Sequence, residues 1–198
     1  MSLKTKIIVV TKNFSIDKIK DIIDLGHKDF GENRIQESII KWNPNFIKSK
    51  NIKLHLIGSL QSNKARDAVK LFDFIHSLSS EKLALILQKE ESLANKKIKY
   101  FIQVNLANEK NKNGIAISLA DNFIKFCKYD LFLNIIGLMC VPPIDSDVNF
   151  YFSKLSEIAK KNNLHELSMG MSNDYISAIY NGATYVRIGS AIFGPREY

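Results

Sequence analysis

Cysteine, proline and long apolar runs are scarce in this sequence. The 198 residues include two cysteines, four prolines and nine glycines. Cys127 and Cys140 have no C-x-x-C spacing, so we expect free thiols rather than a disulfide framework. No run approaches the roughly 18 apolar residues of a membrane span, and Met1 to Lys6 lead into a short strand without the apolar core of a signal peptide. We therefore expect a cytoplasmic protein that binds no membrane.

Arginine is also scarce, although the chain is basic. Lysine and arginine together number 28 against 20 acidic residues, which gives a formal charge of +8. Clustered lysines can neutralise nucleic-acid phosphates, so the charge raises nucleic acid as a partner. Apart from Lys96-Lys97 and Lys160-Lys161, however, the lysines are scattered singly along helical segments. This distribution argues against a nucleic-acid interface, and we predict none.

Strand and helix patterns alternate along the whole chain. The length suits one substantial core, so we expect a single domain over residues 1–198. The eight predicted strands begin near Ile7, Lys28, Leu54, Phe72, Tyr100, Asn134, Glu166 and Tyr185. Seven helices separate them at βαβ spacing, and this pattern predicts an α/β fold that closes as a (β/α)8 TIM barrel.

The first predicted strand ends at a lysine. Ile7-Ile8-Val9-Val10-Thr11 is a β-branched run typical of a parallel strand covered on both faces, and Lys12 follows it. The carboxyl ends of such strands carry the chemistry of α/β folds. Lys12 is either a solvated lysine at a strand end or a Schiff-base lysine that attacks an aldehyde.

Two late segments resemble a phosphate cradle. Met169-Gly170-Met171-Ser172 ends the seventh predicted strand, and we predict that Ser172 opens a helix that runs to Asn181. The eighth predicted strand, Tyr185 to Phe193, contributes Gly189 and a second hydroxyl at Ser190. Barrels commonly bind phosphate in the loops after strands seven and eight. As alternatives, Ser172 is a plain helix cap and Gly189 a packing glycine.

Arg187 lies in the middle of the eighth predicted strand. Strand alternation puts it on the same face as Tyr185 and opposite Val186 and Ile188. A buried arginine needs a partner, and a carboxylate such as Glu166 on the neighbouring strand is one candidate.

Several segments resemble, in order, the signatures of one known family. They are Val10-Thr11-Lys12, Phe30-Gly31-Glu32-Asn33 with Gln36-Glu37, His55-Leu56-Ile57-Gly58 with Leu60-Gln61-Ser62-Asn63-Lys64, Gln103-Val104-Asn105 with Lys112-Asn113-Gly114, Gly137-Leu138-Met139, Leu167 to Ser172, and Val186 to Gly194. The chain resembles the pyridoxal phosphate homeostasis proteins, also called the YggS/PROSC family, whose barrel is similar to the N-terminal domain of alanine racemase. The resemblance spans Ile7 to Tyr198 and implies a barrel of PLP fold-type III.

The resemblance also implies roles in binding pyridoxal 5′-phosphate (PLP). Lys12 would form a Schiff base with the cofactor, and Arg187 would face its pyridine nitrogen. Ser172 and backbone groups around Met171, Gly189 and Ser190 would hold its phosphate. The other implied positions line the cofactor: Asn33 near the ring or its phenolic oxygen, and His55 and Met139 in the pocket.

We predict no metal site. No second histidine or carboxylate stands at ligand spacing from His55, which suits a packed or hydrogen-bonding residue better than a metal ligand.

The resemblance favours a cofactor carrier over an enzyme. Enzymes that use PLP as a full electron sink place a carboxylate against the pyridine nitrogen, whereas Arg187 would weaken the sink. Racemases of this kind rely on a second base from an additional β domain, and here the sequence stops at Tyr198. We expect a PLP reservoir that serves apo PLP-dependent enzymes, as a monomer or weak dimer. The alternatives are a PLP-dependent amino-acid racemase or lyase, and an aldolase-type Schiff base without cofactor.

The start of the chain departs from the family. Its members usually have a helix before the first strand, where this sequence has only Met1 to Lys6. We therefore expect the apolar surface beside strands one and eight to be exposed, or covered by the tail or a partner.

Overall fold

Eight parallel strands close into a barrel in the computed structural model, which describes residues 5–109, 112–144 and 146–194. The barrel strands are β1 (Lys6–Val10), β2 (Asp29–Glu32), β3 (Lys53–Leu56), β4 (Phe74–Leu78), β5 (Lys99–Asn105), β6 (Asn134–Met139), β7 (Glu166–Met171) and β8 (Tyr185–Ile188). They pair in the order β4-β3-β2-β1-β8-β7-β6-β5, and β4 also pairs with β5. A two-residue strand, Ile115–Ala116, pairs separately with β5. The predicted (β/α)8 barrel is confirmed.

Helices connect the strands on the outside of the barrel. They are α1 (Ile16–Asp24), α2 (Ile35–Lys41), α3 (Pro44–Lys50), α4 (Ala65–Leu71), α5 (Glu81–Ala94), α6 (Ile117–Lys125), α7 (Val148–Lys161), α8 (Tyr175–Tyr180) and α9 (Ser190–Phe193). A 3-10 turn, Ser62–Lys64, precedes α4, and a π-helical turn, Phe126–Asp130, follows α6. None of the helices in these described ranges is both long and apolar enough to cross a membrane.

The apolar core has two layers. The larger layer fills the space between the strands and the helices, and a smaller cluster fills the interior of the barrel. On β8, Val186 and Ile188 belong to the outer layer, whereas Tyr185 belongs to the inner cluster. Arg187 hydrogen-bonds Ser168 of β7 and the Cys140 carbonyl beyond β6, and its buried side chain lies on the inner face. The alternation predicted for this strand is confirmed.

Local capping signals explain several element boundaries. Asn43 Oδ1 accepts from the N–H groups of Asn45 and Phe46, and Pro44 occupies the first turn of α3, where its missing N–H has no cost. The predicted break at Asn43-Pro44 is confirmed, but the helix that begins there was not predicted. Ser80 caps α5 by accepting from the Leu83 N–H.

Two predictions at the ends of β7 and β8 were wrong. Ser172 does not open a helix: it lies in a turn, and α8 begins at Tyr175. The turn forms because Asp174 bonds back to Met171, whose N–H donates to Asp174 Oδ1 at 2.5 Å and whose carbonyl accepts from the Asp174 N–H at 3.1 Å. The eighth strand stops at Ile188 instead of Phe193, because Gly189 leaves the extended conformation and caps α9.

The surface beside β1 is partly apolar. Ile7, which pairs with Val186 of β8, is 47% exposed. This agrees with the expectation of exposed apolar area beside the first and eighth strands. The part of that expectation that concerns Met1 to Lys4 and Pro195 to Tyr198 lies outside the described residues.

Candidate functional site

The carboxyl rim of the barrel brings together most of the residues singled out in the sequence. All eight strands are parallel, so the residues that follow them lie at one end. Lys12 lies two residues beyond β1, Asn33 directly beyond β2, and Ser172 directly beyond β7. Ser190 follows β8 by two residues, and β8 is the neighbour of both β1 and β7.

An oxygen-binding cradle links the loops beyond β7 and β8. The Ser172 hydroxyl oxygen accepts from the backbone N–H groups of Gly189 and Ala191, each at 3.3 Å. A Cβ on Gly189 would lie 3.4 Å from the Cβ of Val10, so this cradle packs against the end of β1. The Met171 N–H is not part of it, because that group donates to Asp174. Two N–H groups and a hydroxyl therefore converge beside the strand that leads to Lys12.

A buried ion cluster fixes the residue before Lys12. Thr11 donates its N–H to the Gly31 carbonyl at 3.0 Å and its hydroxyl to Glu32 Oε1 at 2.7 Å. The Thr11 carbonyl accepts from Lys41 Nζ at 2.6 Å, and the same amine also donates to Glu32 Oε1 at 2.9 Å. The side chains of Lys41 and Glu32 are 6% and 0% exposed. These contacts leave Thr11 little freedom to move.

The same cluster fixes the residue after Lys12. Glu37 Oε1 accepts from the Asn13 N–H at 2.6 Å and from Lys41 Nζ at 3.0 Å. Burial acts to raise the pKa of Glu37, but the Asn13 N–H and the Lys41 ammonium outweigh it, and the net pKa is lowered. Asn13 also has a φ of 66°, a left-handed conformation that asparagine tolerates. We call Glu32, Glu37 and Lys41 the Lys41 cluster. It holds the backbone on both sides of half-buried Lys12.

Arg187 is held from two neighbouring strands. Its Nη1 donates to the Ser168 carbonyl at 2.8 Å and to the Ser168 hydroxyl at 2.9 Å, and its Nη2 donates to the Cys140 carbonyl at 3.0 Å. These bonds use three of the five N–H groups of the guanidinium. The suggested partner Glu166 is replaced by Ser168, the next inward position on β7. Burial lowers the pKa of Arg187 from its ordinary value.

His55 and Met139 lie inside the barrel rather than on the rim loops. His55 is fully buried, stacks on Phe74 with ring centroids 4.2 Å apart, and bonds to Asp29, the first residue of β2. Met139 belongs to the inner apolar cluster. Within the ranges that the structure describes, no group of three or more His, Cys, Asp or Glu side chains is arranged to hold a metal ion.

Asn33 retains an unused hydrogen-bonding atom. Its Oδ1 is buried and has no hydrogen-bond partner among the described residues. Its carbonyl oxygen lies only 2.2 Å from the position that a Cβ on Gly58 would occupy. Asn33 is therefore packed tightly against Gly58 beyond β3, and its Oδ1 is available to accept a hydrogen bond from a ligand.

Sequence reasoning missed the Lys41 cluster and the polar residues inside the barrel. Glu37 and Lys41 stand four residues apart on α2, a spacing that brings opposite charges together on one helix face. His76 lies two residues after Phe74 on β4, so strand alternation gives both residues the same face. Both signals were available, but neither says which face is buried.

Comparison with known proteins agrees with the fold and with the motifs. The family described as "Alanine racemase, N-terminal domain" matches residues 1–197. A protein of Aquifex aeolicus (strain VF5) named "Pyridoxal phosphate homeostasis protein" is 36% identical over 98% of this chain and 88% of its own length.

Two solved structures of one protein are also similar. PipY of Synechococcus elongatus PCC7942 without PLP is 33% identical, with a TM-score of 0.89 over 96% of this chain and 93% of that chain. The structure of PipY with PLP bound is 32% identical, with a TM-score of 0.85 over the same shares of the two chains. Given the family match, the near-full-length identity and the shared barrel, the chain belongs to the pyridoxal phosphate homeostasis protein family, within the alanine racemase N-terminal domain family.

Proposed function

We propose that this chain binds pyridoxal 5′-phosphate at the carboxyl rim of its barrel. Lys12 forms a Schiff base with the aldehyde, and the loops beyond β7 and β8 hold the phosphate. The observation that carries the proposal is the convergence of the Gly189 and Ala191 N–H groups on the Ser172 oxygen. This cradle packs on Val10, two residues before Lys12.

The donors of the cradle fit a phosphate. Backbone N–H groups and a hydroxyl bind anionic oxygens well, and the distance from Gly189 to Ala191 lets one oxygen meet both N–H groups. The Ser190 hydroxyl adds a further donor at the start of α9. Of the positions implied for the phosphate, Met171 is supported least, since its N–H makes a short bond of 2.5 Å to the Asp174 carboxylate, whereas the Gly189 and Ala191 N–H groups make 3.3 Å bonds to the Ser172 hydroxyl, which a phosphate oxygen can replace.

Arg187 and Asn33 fit the ring. A guanidinium only donates hydrogen bonds, so Arg187 can bond a ring nitrogen only when that nitrogen carries no proton. The buried Asn33 Oδ1 has no hydrogen-bond partner among the described residues, so it can accept a hydrogen bond from the phenolic hydroxyl of the ring. His55 and Met139 support the floor of the pocket from inside the barrel. Bound PLP supplies an electrophilic carbon and an electron sink, and the sink is strongest with a protonated ring nitrogen.

We infer a reservoir or carrier of PLP without efficient catalysis. Arg187 supports this inference because it disfavours a proton on the ring nitrogen. The relative in Aquifex aeolicus is named a pyridoxal phosphate homeostasis protein, and PipY has been solved with PLP bound, which support the same role. Apo PLP-dependent enzymes are the proposed recipients, and the monomeric or weakly dimeric state stays a prediction.

A cytoplasmic location is part of the same proposal. Cys127 and Cys140 are both buried free thiols, as proteins of a reducing compartment commonly have. Burial raises the pKa of each thiol to about 12, which keeps both protonated and unreactive.

Spectral titration of the apo-protein with PLP tests the proposal. Wild type should develop the absorbance band of a lysine-bound PLP with saturable dependence on concentration, and Lys12→Ala should not. Lys18→Ala, which removes an exposed lysine from α1, is the matched control and should titrate like wild type. A wild-type protein that ignores PLP, or a Lys12→Ala protein that keeps the band, would contradict the proposal.

Isotope exchange separates the carrier from an enzyme. A carrier exchanges the α-hydrogen of alanine or serine for deuterium no faster than free PLP does. Exchange far above that rate would favour the alternative, a racemase or lyase of small amino acids.

A further inference from the structure

A chain of polar side chains, buried except at partly exposed Asp29, crosses the interior of the barrel from Asp29 to Arg187. The Asp29 carboxylate contacts His55 Nε2 at 3.0 Å, and His55 Nδ1 contacts His76 Nε2 at 3.0 Å. His76 Nδ1 contacts the Ser168 hydroxyl at 2.9 Å, which accepts from Arg187 Nη1 at 2.9 Å. We call these five residues the Asp29–Arg187 relay. It links the amino-terminal end of β2 to the arginine assigned to the ring nitrogen.

The two ends of the relay determine the direction of its hydrogen bonds. Ionised Asp29 only accepts, so His55 carries its proton on Nε2 and, when neutral, accepts at Nδ1. His76 then donates from Nε2 and accepts at Nδ1, so the Ser168 hydroxyl donates to His76. This leaves the Ser168 oxygen to accept from Arg187, which only donates. Every bond in the relay therefore points from the guanidinium towards the carboxylate.

The protonation states agree with this direction. Burial lowers the pKa of His55 despite the opposing effect of Asp29. Burial and the positive charge of Arg187 lower the pKa of His76 well below its usual range. Burial acts to raise the pKa of Asp29, but the bond to His55 and the nearby basic groups together outweigh it, and the net pKa is lowered. Two neutral imidazoles thus stand between one buried cation and one carboxylate.

Aromatic stacking fixes both imidazole planes. His55 stacks on Phe74 with an interplanar angle of 11°, and His76 stacks on Phe101 with ring centroids 4.2 Å apart and an angle of 17°. Neither ring can turn without losing a stacking partner and two hydrogen bonds. The two imidazoles therefore hold the Ser168 hydroxyl in a fixed position.

We infer that Asp29, His55, His76 and Ser168 are positioning residues for Arg187, which orient its guanidinium towards the rim and supply the distant negative charge that stabilises it as a cation. The inference rests on the proposed binding of PLP, because the function of Arg187 that it concerns is its contact with the ring nitrogen. In a low-dielectric interior each bond polarises the next, so the carboxylate acts on the guanidinium through the two imidazoles.

A pair of ligands isolates the contact with the ring nitrogen. The first is PLP, and the second is its analogue in which a C–H replaces that nitrogen while the aldehyde and phosphate remain. Two variants break the relay: His76→Phe, which can keep the stacking on Phe101, and Ser168→Ala. The matched control is Ser77→Ala, which removes a buried hydroxyl of β4 that has no hydrogen-bond partner in the described part of the chain.

Breaking the relay should weaken PLP binding roughly tenfold and leave the affinity for the analogue unchanged. It should also shift the absorbance maximum of bound PLP, and Ser77→Ala should do neither. Equal losses for the two ligands would show that the relay is merely structural and would overturn the inference. Unchanged PLP affinity in both relay variants would overturn it as well.

Nitrogen-15 NMR of the ligand-free protein tests the relay independently of PLP. Both histidines should carry the proton on Nε2 and none on Nδ1 at neutral pH. A charged imidazolium, or a proton on either Nδ1, would overturn the inference. If wild type failed to bind PLP while these tautomers were found, the proposed function would fail and the relay would remain.

Discussion

At the scale of single residues, the backbone around Lys12 is held by the charged side chains of Glu32, Glu37 and Lys41. Its neighbours Thr11 and Asn13 bond to Glu32, Glu37 and Lys41 through two backbone groups and one hydroxyl. A reactive amine on a fixed backbone reaches the aldehyde with less conformational entropy to lose than one on a mobile loop. On the proposed function, the Lys41 cluster would aid capture of the aldehyde by holding the backbone on both sides of Lys12.

Lys41→Met should destabilise the protein strongly. It leaves the fully buried Glu32 carboxylate without its ammonium partner, and breaking a buried pair from one side costs about 3–5 kcal/mol. Urea unfolding measures the change. Lys50→Met is the control, because its ion pair with Asp24 is exposed to solvent and is expected to contribute little to stability. Similar losses in the two variants would contradict this account of the cluster.

At the scale of secondary-structure elements, most of the predicted site residues lie just beyond the carboxyl ends of strands. The β-branched run of β1 predicts its strand, and the resemblance implies the role that we propose for Lys12. The turn after β7 could not be predicted, because Ser172 is a good helix cap and only the bonds from Asp174 to Met171 delay α8 to Tyr175. Helix α3 was missed because Asn43-Pro44 ends one helix and begins the next with the same residues.

Gly58→Ala should damage both stability and cofactor binding. The new Cβ would lie 2.2 Å from the Asn33 carbonyl oxygen, so the β2 or β3 loop must shift at a cost of about 1–3 kcal/mol. A displaced Asn33 should also weaken PLP binding. Gly26→Ala is the control: its Cβ meets no atom within 4 Å, and only its φ of +93° adds strain. Urea unfolding and PLP titration of both variants check this, and a Gly58→Ala protein that binds PLP as tightly as Gly26→Ala would contradict it.

At the scale of the whole molecule, the barrel encloses the Asp29–Arg187 relay as well as an apolar core. Strand alternation predicts that Arg187 points inwards, but its partners depend on the register of β7 and β8 around the closed barrel. That register brings Ser168, rather than Glu166, to the guanidinium. The contact between His55 on β3 and His76 on β4 likewise requires the closed geometry, which one-dimensional patterns do not contain.

The two buried histidines should make stability depend on pH. Folding lowers the pKa of both His55 and His76, so the unfolded chain binds more protons in mild acid. Their contribution is complete above the unfolded pKa of about 6.5 and is lost as the pH falls below it, with a slope of at most about 1.4 kcal/mol per pH unit for each ring. Urea unfolding between pH 8 and pH 5 measures this. His76→Phe should have a shallower dependence, and an equally steep one would contradict the prediction.

Mass spectrometry after borohydride reduction tests whether Lys12 is the residue that captures PLP. Reduction of the wild-type protein with PLP fixes the imine, and peptide mapping then identifies the modified lysine. We expect stoichiometric modification at Lys12, with Lys12→Ala unmodified under the same limiting PLP. Modification of another lysine in the wild-type protein, or scattered substoichiometric labelling, would contradict it.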